Sequence, residues 1–124
     1  MTEETIILNR IAEQLSPTEW ITFRRWARLG EELAWNTPIS IAKLRQFKAE
    51  LRQAVFDLWL FQHKDADHFS ARIYWLIGKA DQENLVRLSL GFPIEVLAWI
   101  LWQAAPSEQE FFLSYDVQRI AREP

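Results

Sequence analysis

Apolar positions along the chain recur mostly at steps of three and four, the period of an amphipathic helix, and no convincing two-residue alternation interrupts them. From about Thr2 to Gln14, Ile7, Ile11 and Leu15 are spaced by four and predict a first helical stretch. Ser16-Pro17-Thr18-Glu19 reads as a helix start, with an N-cap serine, a first-turn proline and a glutamate three residues on. The helix that follows places Trp20, Phe23, Trp26, Ala27, Leu29 and Leu33 on one arc, with Arg24, Arg25 and Arg28 opposite. Gly30 is either its stop or a weak point inside it.

Asn36-Thr37-Pro38 is the clearest break. Ser40 then caps a long helix to about Gln62, whose core stripe is Leu44, Phe47, Leu51, Ala54, Val55 and Leu58. A polar connection, His63 to Asp67, precedes a helix from about His68 to Lys79, with Asp67 as its expected cap. Asp81 caps a short helix to about Leu90, which Gly91-Phe92-Pro93 stops before opening the next. The helix from Pro93 to about Ala104 is the most apolar, with only Glu95 and Gln103 polar. Ser107-Glu108-Gln109-Glu110 is a second capping box, and the last helix is expected to run to about Ala121. The fold class expected is all-α: one compact domain over residues 1–124, built as a bundle of six or seven helices without a sheet. Phe47, Leu51, Leu58, Leu97 and Ile100 are expected in its core.

Composition narrows the function. At 124 residues and 49% hydrophobic, the chain can bury a core of ordinary size. With no cysteine it carries neither a disulfide framework nor a thiolate metal site. The acidic start, Met1-Thr2-Glu3-Glu4, does not resemble a secretory signal. The longest nearly uncharged run, Val96 to Ser107, is short of the roughly 20 residues that cross a bilayer. A cytoplasmic protein without membrane contact is therefore expected. The net charge is −3, yet Trp20 to Arg52 holds seven basic residues against three acidic ones, leaving −7 for the remainder. That local basic face survives in an acidic chain.

Catalytic chemistry finds little support. No Gly-x-Ser-x-Gly elbow or glycine-rich phosphate loop is present, and the three glycines stand apart at 30, 78 and 91. His63-Lys64-Asp65-Ala66-Asp67-His68 offers imidazole and carboxylate ligands, but structural zinc sites draw on two separated pairs, so a solvated loop is the favoured reading. No catalytic residue, cofactor or metal is assigned. Gly78-Lys79-Ala80 has the spacing of a helix-turn-helix, with Gln82, Asn84 and Arg87 as its readers, but an ordinary helix hairpin accounts for it better.

Two surfaces stand out instead. On the long helix, Arg45, Lys48, Arg52, Phe56 and Trp59 share one stripe, cationic at its start and aromatic at its end. Such a stripe suits a protein partner with an acidic, apolar-tipped surface, or a nucleic-acid backbone. On the last helix, Leu113, Val117 and Ile120 share one face, while Phe111, Phe112 and Tyr115 lie on another. With seven Trp, eight Phe and two Tyr to place, a homodimer contact centred on Phe111 or Phe112 is expected.

From Lys79 onward, Lys-Ala-Asp-Gln-Glu-Asn-Leu-Val-Arg-Leu followed by Gly-Phe-Pro-Ile-Glu-Val resembles a segment of short uncharacterised bacterial proteins, some linked to phage or mobile elements. The resemblance brings no activity and no functional residues, and physically it describes a helix-break-helix joint. The function expected is thus a non-enzymatic helical protein-interaction module, self-associating. The alternative is a regulatory or mobile-element protein touching nucleic acid through Arg24, Arg25, Arg28, Arg45, Lys48 and Arg52.

Overall fold

A computed structural model describes residues 4–11, 13–29, 37–64 and 67–117. The described residues are overwhelmingly helical, as the apolar periodicity predicts, with one small sheet added. The elements are β1 (Thr5–Ile7), α1 (Leu8–Ile11), α2 (Pro17–Trp26), β2 (Pro38–Ser40), α3 (Ile41–His63), α4 (Phe69–Lys79), α5 (Gln82–Gly91), α6 (Pro93–Ala104) and α7 (Glu108–Ser114). They gather into two compact units, Met1–Ala49 and Glu50–Pro124, whose boundary falls inside α3 and not at a loop.

In the first unit, the helix expected from Thr2 is replaced by a strand and a single helical turn. Thr5, Ile6 and Ile7 are consecutive β-branched residues, which lose rotamer freedom in a helix and pack well on a pleated surface. They pair antiparallel with β2, Thr5 opposite Ser40, Ile6 opposite Ile39 and Ile7 opposite Pro38. Two flanking backbone bonds, Leu8 N–H to the Thr37 carbonyl and Ile41 N–H to the Glu4 carbonyl, lengthen the ladder. Pro38 is tolerated because it opens its strand. The pairing partner lies some thirty residues downstream, so local periodicity could not announce it.

α2 begins as expected. Ser16 Oγ accepts from the Glu19 N–H and the Glu19 carboxylate accepts from the Ser16 N–H, a complete capping box. It ends earlier than Gly30. The Leu29 N–H reaches the Arg24 carbonyl and the Arg28 N–H reaches the Arg25 carbonyl, the bond pair of a Schellman motif. Arg28 occupies its left-handed position at φ 56°, where glycine is usual. Gly30 and Leu33 lie outside the described residues. Phe23 is fully buried, its ring edge-on to Phe47 at 5.2 Å, with Trp26 at 5.5 Å from Phe47. Ile11, Leu15, Ile39 and Leu44 complete this core.

In the second unit, the remainder of α3 buries Leu51, Ala54, Val55 and Leu58 as its stripe predicts. α6 packs against α4, α5 and α7. α4 buries Ala71, Ile73, Tyr74 and Ile77; the Tyr74 hydroxyl donates to the Ala54 carbonyl of α3 at 2.7 Å. Gly78 lets α6 come close, since a Cβ there would stand 3.2 Å from the Trp99 ring.

Several expected boundaries move. The N-cap of α4 is His68, not Asp67, and no side chain caps that end; the Asp67 carbonyl accepts from Arg72 Nε instead. Asp81 caps α5 by accepting from the Asn84 N–H, as expected. Gly91 is the last residue of α5 and has no left-handed φ, so the stop falls on Phe92. Phe92 precedes Pro93, whose ring drives the preceding residue out of the helical region, here to φ −131° and ψ 60°. Ser107 caps α7, but α7 closes at Ser114, where Asp116 at φ 59° turns the backbone away. Phe47, Leu51, Leu58 and Leu97 are core as expected, whereas Ile100 is 41% exposed. α6 is apolar nearly all round, and a helix without a polar face gives its own pattern no phase.

Candidate interaction surfaces

The α3 stripe crosses the boundary between the two units. In the first, Arg45 is exposed and Lys48 half-buried, its amine donating to the Gln14 amide oxygen at 3.1 Å. In the second, Arg52 is exposed, while Phe56 and Trp59 are half-buried and stacked, with centroids 6.3 Å apart and planes 11° from parallel. Trp59 continues to the His63 ring at 5.6 Å, and the Lys64 amine sits 5.5 Å from the Trp59 ring. The aromatic half is therefore a ladder of rings already packed on one another, with one face left to solvent.

The surface expected on the last helix is reversed. Phe111 and Phe112 are buried inside their own unit, ring against ring at 5.1 Å, and Tyr115 is half-buried against Phe111 at 5.4 Å. His63 meets the Phe112 ring edge-on at 6.0 Å and pairs with the Glu108 carboxylate at 3.1 Å. Neither Phe111 nor Phe112 is left to centre a contact between copies. Val117, expected on the Leu113 face, is buried with them beyond the turn at Asp116, while Leu113 itself is 48% exposed. Either face was apolar enough to turn inward; the bulkier pair of rings did so, removing more surface from water. Ile120 lies outside the described residues.

A third surface was not expected. α5 contains Leu85, Val86, Leu88 and Leu90 and buries none of its residues. Leu90 is 76% exposed and Phe69, at the start of α4, 70% exposed; Trp75, Leu76 and Val86 are about half exposed. Between α4 and α5 lies a cleft of about 400 Å³ lined by Leu76, Lys79, Ala80, Asn84, Arg87 and Leu88. Asn84 and Arg87, weighed above as helix-turn-helix readers, thus line this cleft, and Arg87 is bonded to Glu83 at 2.8 Å. A signal existed in the sequence: the apolar residues of α5 do not collect on one stripe, and Trp75-Leu76 falls off the Ala71-Tyr74-Ile77 face.

In the first unit an open groove of about 550 Å³ is lined by Trp20, Ile21, Arg24, Arg25 and Leu29. It joins two guanidinium groups to a half-buried indole.

Asp57, 14% exposed at its side chain, is held by Gln53 at 3.2 Å and His68 at 3.4 Å. Burial raises the Glu95 carboxyl above its ordinary range; nearby Asp57 and Glu50 add to this, and a bond from its own backbone N–H opposes it. Burial likewise raises the Tyr74 phenol, with Glu95 and Asp57 adding repulsion to its anion. A phenol donating to a carbonyl, with its proton held this firmly, is a structural group. Among the described residues, no three His, Asp or Glu side chains converge as a metal-binding group, and no helix is long and apolar enough to cross a membrane. Asp65 and Ala66 of the expected ligand loop lie outside those residues. Compared with known proteins, the chain matches no family model, and neither a curated protein nor a solved structure is detectably similar to it.

Proposed function

We propose that this chain is a cytoplasmic, non-enzymatic helical interaction module that binds a protein partner through apolar surface its own helices leave uncovered. The observation that carries this reading is α5, a ten-residue helix with four large apolar residues and none buried. Val86 and Leu90 of this helix and Phe69, Trp75 and Leu76 of α4 are each 45% exposed or more, apolar surface of the kind that marks interaction sites. The exposed Arg52 and the Phe56–Trp59 stack extend the surface available on the same unit. The helix-break-helix segment resembling short bacterial proteins coincides with α5 and the start of α6, so the likeness concerns this same joint.

The test is site-specific photo-crosslinking in the native cell. A crosslinking residue in place of Leu90 should yield a discrete protein adduct, and one in place of the exposed Gln53 should yield none. Equal, diffuse labelling from both positions would overturn the reading.

The groove on α2 favours a second reading, contact with nucleic acid through Arg24 and Arg25 beside Trp20, since guanidinium groups meet phosphates and an indole stacks on a base. Retention on single-stranded DNA at low salt, lost steeply as salt rises and absent from Arg24→Ser/Arg25→Ser, would decide for it.

A further inference from the structure

We infer that one partner of the α4–α5 cleft is a second copy of this chain, which inserts Leu113 of its α7 between the two helices. The inference rests on the interaction reading above and names its occupant. The cleft is lined by the apolar Leu76, Ala80 and Leu88 together with Asn84 and the cationic Lys79 and Arg87. It therefore asks for an apolar side chain with a carboxylate beside it. α7 presents that combination: Leu113 is 48% exposed because Phe111 and Phe112 take the inward face, and Glu110, one turn earlier, is exposed as well. On a helix, residues three apart are surface neighbours, so the leucine and the carboxylate form one acidic, apolar-tipped knob.

The chain's own Leu113 does not fill its own cleft, because both stand open in the same structure. The match is thus available only between molecules. A two-fold axis would make the contact twice, each copy giving α7 and receiving it, which doubles the area closed. The two lining cations can exchange partners. Arg87 and Glu83 pair on the surface with side chains 68% and 75% exposed, and Lys79 leans over the Trp75 ring at 5.4 Å. Exposed contacts of this kind hold only weakly and give way to a better-covered carboxylate.

Sedimentation equilibrium on the full chain across the micromolar range tests this. The expected result is a dimer that Leu113→Asp converts to monomer without changing the circular-dichroism spectrum. Lys79→Glu and Glu110→Lys should each weaken association about tenfold, and combining them should restore it to within about threefold, the signature of a charge pair across a contact. A dimer indifferent to Leu113→Asp and to both reversals would overturn the assignment. So would a monomer at every concentration: if the Leu90 crosslinker still captures a different protein, the interaction reading stands and only the self-pairing falls, whereas no capture overturns both.

Discussion

Tyr74 concentrates the residue-scale logic of the second unit. Its ring fills the space beside Phe61 and Trp99, and its hydroxyl satisfies itself on the Ala54 carbonyl, so a buried phenol leaves no orphan donor. Tyr74→Phe keeps the packing and removes one bond; we expect a loss of about 0.5–1.5 kcal/mol, read as a shifted urea midpoint with an unchanged slope. An unshifted midpoint would show the bond contributes nothing. Glu95 is the opposite case, a carboxylate whose charged form the fold disfavours, chiefly through burial and then through Asp57 and Glu50. Because its folded-state value lies above the unfolded 4.5, the folded chain binds that proton more tightly. Its penalty is absent below that pH and grows as pH rises through the raised folded value. Glu95→Gln should therefore raise the melting temperature at neutral pH and leave it nearly unchanged well below 4.5. Equal effects at both pH values would place the cause elsewhere than in the charge.

Among the elements, helix ends carry the instructive contrasts. Arg28 sits in the left-handed region to complete the Schellman end of α2, at a cost of order 1 kcal/mol for a residue with a Cβ. Arg28→Gly should accordingly stabilise the chain by up to about 1 kcal/mol, whereas Arg28→Ala, which removes the same charge, should not. If both act alike in thermal melts, charge and not backbone strain explains the effect. Gly91 was expected to be such a stop, but its φ is not left-handed and a Cβ there meets nothing within 4 Å. Pro93 supplies the stop instead, by constraining Phe92.

For the whole molecule, the division between what is buried and what is left open decides the functional argument. Leu58 of α3 is fully buried and Leu90 of α5 is largely exposed, although both are leucines on helices. Leu58→Ala should cost about 2–5 kcal/mol, while Leu90→Ser should stay within about 0.5 kcal/mol in chemical denaturation. A large loss at Leu90 would mean that α5 is covered within the chain, and the proposed interaction surface would fall with it.

Local chemistry was legible in the residues themselves. The capping box at Ser16, the caps at Asp81 and Ser107 and the single-phase stripe of α3 specified helix starts and one buried face, because capping bonds and the 3.6-residue period act within a turn or two. What lay beyond the sequence was every choice requiring a distant partner. Thr5–Ile7 became a strand because Pro38–Ser40 was brought alongside it. α6 could not orient Ile100, since an all-round apolar helix is phased only by its neighbours α4, α5 and α7. The last helix offered two apolar faces, and packing turned Phe111 and Phe112 inward and Leu113 out, reversing the surface on which a partner was expected. For α5, apolar residues spread off one stripe signalled that some would stay open, but which of them did so belongs to the same class. Whether a helix buries its leucines depends on how much surface its neighbours can reach, a quantity set by tertiary packing and carried by no stretch of sequence alone.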